Sequence, residues 1–109
     1  METSSFLYLT TRGWKTGRPH EIEIWYVELE GRFYLISERG KRAHWVQNLT
    51  RNPEVTFRVA DRPYRGRART LDAPEDAALG RRVQELFEKK YDWSTGLIVE
   101  LTGSPPDGV

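Results

Sequence analysis

The sequence predicts a mainly β protein: a six-stranded, mainly antiparallel barrel with one short and one long helix. Three observations predict it. Alternating apolar and polar residues recur along the chain, which is the period of a strand with one buried face. Most links between these runs are short and suit antiparallel neighbours. Only the stretch ending at Tyr91 carries a long apolar stripe at helical spacing. The resulting order, β-β-β-α-β-β-α-β, fits a small barrel whose open ends or seams are covered by two helices. At 109 residues the chain reads as one domain, 1–109, with residues 103–109 expected to be a disordered tail.

Residues 6–10 are short, apolar and rich in β-formers, and form the first strand. Residues 20–30 form the strongest strand. Ile22, Ile24 and Tyr26 share one face, while Trp25, Val27 and Leu29 share the other. A strand apolar on both faces is expected at the centre of a sheet. Glu30-Gly31 turns the chain into a third strand at 32–37. Residues 43–51 form the short helix, with Trp45 and Leu49 four apart, and Asn52-Pro53 stops it. Strand four, 54–60, points Val55, Phe57 and Val59 inward. Strand five, 63–71, places Arg65, Arg67 and Arg69 on one face, read as solvated, with an anion-binding edge as the alternative. Asp72-Ala73-Pro74-Glu75 carries an N-cap and a first-turn proline for the long helix. Leu79, Val83, Leu86, Phe87 and Tyr91 make its stripe, and residues 97–102 are the last strand.

Composition narrows the function. With 17 Lys plus Arg against 16 Asp plus Glu, the net charge is +1, which argues against broad nucleic-acid binding. The absence of cysteine excludes disulfides, thiolate chemistry and Cys-ligated metals. His20 and His44 lack metal-ligand spacing. No signal peptide or integral membrane segment is evident, so a cytoplasmic protein is expected.

Two loops and a helix could carry chemistry. Residues 12–19 pack two glycines, three cations, a hydroxyl and an indole between strands, more donors than a hairpin needs. Residues 37–42 form a second basic loop, which opens into the short helix and its positive dipole end. On that helix Trp45 and Asn48 share a face, an indole to stack and an amide to hydrogen-bond.

Gly13-Trp14-Lys15-Thr16-Gly17, Ser37 to Gly40, and Trp45-Val46-Gln47-Asn48-Leu49-Thr50-Arg51-Asn52-Pro53 stand in this order. In this they resemble the deazaflavin-dependent nitroreductase and quinone reductase family. That family belongs to the FMN-binding split β-barrel proteins, relatives of pyridoxamine phosphate oxidase. The resemblance implies a split barrel and an oxidoreductase that binds reduced coenzyme F-420. Hydride would pass to a small-molecule acceptor: a quinone, a nitro compound or an enone. FMN is the alternative cofactor, and a non-catalytic flavin carrier or sensor the alternative role. The resemblance places Lys15, Thr16 and Arg18 at the cofactor phosphate or acidic tail, with Trp14 and Gly17 of the same loop also expected to bind the cofactor, although Trp14 stands where the family usually has a cation. It places Ser37, Glu38, Arg39 and Gly40 along the ring and chain, and Trp45 and Asn48 against the cofactor from the helix; Arg42 and His44 are also expected to bind the cofactor, although His44 stands where the family often has Pro. Tyr91 and Tyr26 are the candidates for proton donation. A homodimer is expected, because the Trp25, Val27 and Leu29 face needs a cover.

Overall fold

The computed structural model describes residues 5–105. Seven strands form one antiparallel sheet: β1 (Phe6–Arg12), β2 (Pro19–Trp25), β3 (Val27–Leu29), β4 (Arg32–Ser37), β5 (Glu54–Val59), β6 (Arg62–Thr70) and β7 (Leu97–Ser104). The short helix is α1 (His44–Arg51) and the long one α2 (Ala77–Tyr91). The order across the sheet is β2-β1-β5-β6-β7-β4-β3.

The count is seven, not six, because the strand read at 20–30 is two. β2 pairs with β1 from Phe6↔Trp25 to Arg12↔Pro19, and β3 pairs with β4 from Val27↔Tyr34 to Leu29↔Arg32. They are the two edges of the sheet, yet Tyr26 alone separates them in the chain. One residue cannot span an open sheet, so the sheet curls until its edges meet at Tyr26. α2 pins that corner. Lys90 Nζ donates to the Tyr26 carbonyl at 3.1 Å, and Tyr91 Oη lies 2.6 Å from the Tyr26 carbonyl and 2.8 Å from that of Ser5.

Two cores follow. Leu7, Leu9, Phe33, Leu35, Phe57 and Leu101 fill the barrel, with Val46 and Leu49 of α1 closing over them. On the outer face, Val83 and Phe87 of α2 pack on Val27, Tyr34, Ile36 and Ile98. The strand buried on both faces is therefore β4, not the run at 20–30. α2 covers Val27, and Leu29 packs against the same cluster. Two of the three residues of that face thus have their cover within one chain, while Trp25 stays 37% exposed, so the area argument for a dimer is left with Trp25 alone.

Three further expectations change. β7 continues to Ser104, so residues 103–104 are strand; 106–109 lie outside the described residues. Gly103 faces Gly66 across the ladder, and a Cβ on Gly66 would sit 1.7 Å from the Thr102 carbonyl oxygen. This close approach is what the paired glycines permit. Asp72 is not a cap: its carboxylate meets Lys41 Nζ at 2.9 Å, which holds its pKa below the ordinary aspartate value. α2 begins at Ala77, after a 3-10 turn at Pro74–Asp76.

Arg69 leaves the solvated row of arginines. Its Nε donates to Glu100 Oε1 at 2.8 Å, and its Nη1 lies 3.3 Å from Asp76. Glu100 is 2% exposed and also accepts from Tyr34 Oη at 2.8 Å and Arg32 Nη1 at 3.3 Å. Burial pushes the Glu100 carboxyl up, but the Tyr34 and Arg69 hydrogen bonds outweigh it and hold the pKa below the ordinary glutamate value. Burial, reinforced by Glu100, raises the Tyr34 phenol to about 12.

Candidate functional site

The split between β2 and the Ser37 end of β4 opens into a cleft of about 1270 Å3. Four pieces wall it. The β1–β2 loop supplies Gly13, Trp14, Lys15 and Thr16; β2 supplies His20 to Trp25; the end of β4 and the turn after it supply Ser37, Glu38 and Arg39; α1 and its approach supply Arg42, His44, Trp45 and Asn48.

Local hydrogen bonds shape each piece. In the first loop the Gly13 N–H donates to the Arg18 carbonyl at 2.8 Å, and the Gly17 N–H to the Gly13 carbonyl at 2.7 Å. Gly17 has φ +74°, the left-handed region that a side chain would disfavour. Thr16 Oγ1 accepts from the Arg18 N–H at 3.2 Å. Lys15 Nζ and Arg51 lie 4.9 and 4.7 Å from the Trp14 ring centre. In the second loop, Ser37 Oγ donates to the Gly40 carbonyl at 2.9 Å and closes the turn before the 3-10 turn at Gly40–Arg42. α1 then starts at His44, with Ala43 as an N-cap that offers no side-chain hydrogen bond and no acid in the first turn. That leaves its positive end electrostatically open toward the cleft.

Asn48 links the loop to the barrel. It is 7% exposed; its Oδ1 accepts from the Trp14 N–H at 3.2 Å, and its Nδ2 donates to Thr11 Oγ1 at 3.1 Å. Its side chain both lines the cleft and fixes where Trp14 and Lys15 stand.

Charge and surface divide the cleft. Lys15, Arg39 and Arg42 line it, and none of them makes an ion pair among the described residues. Ile22, Ile24 and Trp45 give an apolar wall. Unpaired cations suit phosphate and carboxylate groups, and the apolar wall suits a flat ring.

Most of the predicted site residues meet here. Gly17, Arg18 and Gly40 do not line the cleft; they shape the turns behind it. Tyr26 and Tyr91 are corrected more fully. Neither lines the cleft: Tyr26 is 5% exposed, and the Tyr91 hydroxyl is engaged at the corner described above. Burial raises that phenol to about 12. Sequence reasoning missed, among others, Phe6, Trp93 and His20 to Trp25 of β2. Their signal was present in the alternation at 20–25, but edge position is a property of the folded sheet.

Fold and cleft together define a split-barrel protein whose open seam sets cations beside an apolar wall. The chain belongs to the F-420H(2)-dependent quinone reductase family, whose description matches residues 1–100. It is an oxidoreductase of the deazaflavin-dependent type, and coenzyme F-420 is its cofactor. No curated protein matches the chain. Solved structures agree on the fold. An F-420-H2 dependent reductase is 20% identical, with a TM-score of 0.65 over 93% of this chain and 98% of that one. A candidate pyridoxamine 5'-phosphate oxidase from Listeria innocua is 16% identical, with a TM-score of 0.70 over 93% and 85%. A FAD-binding protein from Mesorhizobium loti is 19% identical, with a TM-score of 0.71 over 93% and 82%. Among the described residues no helix is long and apolar enough to cross a membrane, and no cluster of His, Asp and Glu could hold a metal.

Proposed function

We propose that this chain holds reduced coenzyme F-420 in the cleft and reduces a quinone, a nitro compound or an enone there. The observation that carries this reading is the pairing of three uncompensated cations with an apolar wall in one cleft. When bound, the cofactor supplies hydride; the chain supplies position and electrostatics. Lys15, Arg39 and Arg42 hold the anionic arm. Ile22, Ile24 and Trp45 exclude water from one side of the ring. Ser37, through its bond to Gly40, sets the turn that carries Arg39.

Fluorescence titration of the protein with the deazaflavin cofactor tests this. Lys15→Ala should weaken binding by about 1–3 kcal/mol, the range for a charge-assisted bond. Unchanged affinity in both Lys15→Ala and Arg39→Ala would remove the loops from the site. Tighter binding of FMN in a parallel titration would overturn the choice of cofactor. Absent turnover with every acceptor would leave a carrier. The setting that goes with this reading is a cytoplasmic homodimer. The dimer is supported by a solved structure of the same fold, 19% identical with a TM-score of 0.64, that is described as a domain-swapped dimer. Sedimentation at micromolar concentration measures it.

A further inference from the structure

We infer that Asp72 is a positioning residue for cofactor binding: through Lys41 it holds the turn that presents Arg39 and Arg42 to the cleft. This rests on the reading of the cleft as the cofactor site. Asp72 stands where a helix cap is expected, yet α2 begins only at Ala77, with Asp76 as its N-cap. The Asp72 carboxylate is directed elsewhere, to Lys41 Nζ at 2.9 Å. The backbone on either side of it is fixed. The Leu71 N–H donates to the Ile98 carbonyl at 2.9 Å, and the Ala73 carbonyl accepts from the Asp76 N–H at 2.9 Å. The Asp76 side chain is tied in turn to Arg69 at 3.3 Å. Asp72 is therefore a post set in the barrel frame.

The turn that it holds has little else to fix it. Glu38, Arg39, Lys41 and Arg42 are all exposed, so burial does not anchor them. The backbone bonds are long: 3.2 Å from the Arg42 N–H to the Arg39 carbonyl and 3.4 Å from the Ala43 N–H to the Gly40 carbonyl, against a usual value of about 2.9–3.0 Å. α1 adds one more, from Gln47 Nε2 to the Arg42 carbonyl at 3.4 Å. Among the described residues, Lys41 is the one side chain of residues 38–42 in an ion pair or hydrogen bond with another element. Segments with few buried contacts and weak backbone bonds are the ones that open locally. Arg39 and Arg42 flank Lys41 in the chain, so fixing Lys41 fixes where both guanidinium arms begin.

Place and charge make the role testable. Lys41 and Asp72 do not line the cleft; they line a recess of about 310 Å3 beside it, with Thr50, Arg51 and Thr70. Trp14 and Gln47 line both spaces and so form the wall between them. Asp72 is thus a negative charge set next to a site that takes an anion. As a bare charge it repels the anionic arm. As a tether it favours binding, because it holds two cations in place. The two effects have opposite signs, and neutralising Asp72 tells them apart.

The test measures cofactor Kd by fluorescence in the wild type, Asp72→Asn and Asp72→Glu. A bare charge effect would make Asp72→Asn bind the cofactor more tightly. The tether makes it bind about two- to fivefold more weakly, the size of an exposed ion pair, with kcat at saturating cofactor unchanged. Asp72→Glu keeps the carboxylate and should lie closer to the wild type than Asp72→Asn does. Amide hydrogen exchange on the cofactor-free protein reads the turn directly. The Arg42 and Ala43 N–H groups should exchange about two to five times faster in both Asp72→Asn and Lys41→Met, because either change cuts the tether. Lys41→Met also keeps the test open if Asp72→Asn fails to fold. Tighter or unchanged cofactor binding in Asp72→Asn, or unchanged exchange at both amides in both variants, would overturn the inference. If the wild type binds no cofactor, the proposed function falls instead. The exchange rates then still decide whether Asp72 holds the turn.

Discussion

Replacing Asn48 by Ala removes two hydrogen bonds at once, and their partners cannot easily find others. Asn48 is 7% exposed and Thr11 is 1% exposed. The lost bonds are Trp14 N–H to Oδ1 at 3.2 Å and Nδ2 to Thr11 Oγ1 at 3.1 Å. Each is worth about 1 kcal/mol net, and a stranded buried partner adds about 1–3 kcal/mol. The Thr11 hydroxyl can rotate, so the total should fall near 2–4 kcal/mol. For a domain of this size that corresponds to a loss of roughly 8–16 °C in Tm. The Trp14 amide also holds the cationic loop, so cofactor affinity should fall in parallel. Asn48→Asp keeps an acceptor for the Trp14 N–H, and the Thr11 hydroxyl can turn to donate to it. That variant should recover about half of the lost Tm. Differential scanning calorimetry and cofactor titration on the same samples decide the matter. An Asn48→Ala protein with unchanged Tm but no cofactor binding would refute the reasoning. Asn48 would then touch the cofactor without positioning the loop.

Two more predictions concern the frame. Glu100→Ala should cost about 3–5 kcal/mol in chemical denaturation, because Arg69 and Tyr34 are left facing a buried gap. The Glu100 carboxyl titrates lower folded than unfolded, so its contribution is present above pH 4.5 and is lost as pH falls through the folded value. The wild type should show that acid loss, and Glu100→Gln should show less of it. Tyr91→Phe should weaken the corner by about 1 kcal/mol. In the wild type, phenols at about 12 when folded and 10.0 when unfolded make stability fall as pH rises across that window. In Tyr91→Phe the alkaline slope should be shallower; an identical slope would mean the Tyr91 hydroxyl is not held at the corner.

What was legible in the sequence follows the range of each interaction. Strand periodicity and the stripe of α2 are local, and they placed the short helix, β4 to β7 and the two basic loops near their true positions. The loops were readable as site elements because glycine, cation and hydroxyl side chains act through nearby backbone. The break at Tyr26 was not readable. The alternation changes phase at Ile24-Trp25-Tyr26-Val27, but four consecutive apolar residues also read as one central strand buried on both faces, and it is the pairing of β2 with β1 and of β3 with β4 that separates them. Arg69 looked like its neighbours Arg65 and Arg67 because Glu100, its partner, lies 31 residues away in the chain. Tyr91 looked like a proton donor because a tyrosine near a cleft is chemically plausible; the backbone carbonyls that engage it carry no mark in sequence.

The same break explains why the cleft has its mixed character. In a strand with neighbours on both sides, alternate residues face opposite layers, and one cavity meets only every second side chain. β2 has a neighbour on one side only, and its free edge borders the cleft. Six consecutive residues, His20, Glu21, Ile22, Glu23, Ile24 and Trp25, therefore all contribute to the wall. Ile22 and Ile24 pack toward the barrel core, while Glu21 and Glu23 are exposed and engage Arg58 and Tyr8. Both halves of the alternation thus reach one ligand site, with the apolar half offering a ring surface and the polar half setting the charge at the rim. A one-residue slip would exchange isoleucine for glutamate along the whole wall. The register is held at the Arg12↔Pro19 end by the loop that carries Lys15, and at the Phe6↔Trp25 end by the Tyr26 corner. The cationic loop and the Tyr26 corner are therefore also the two clamps on the strand between them.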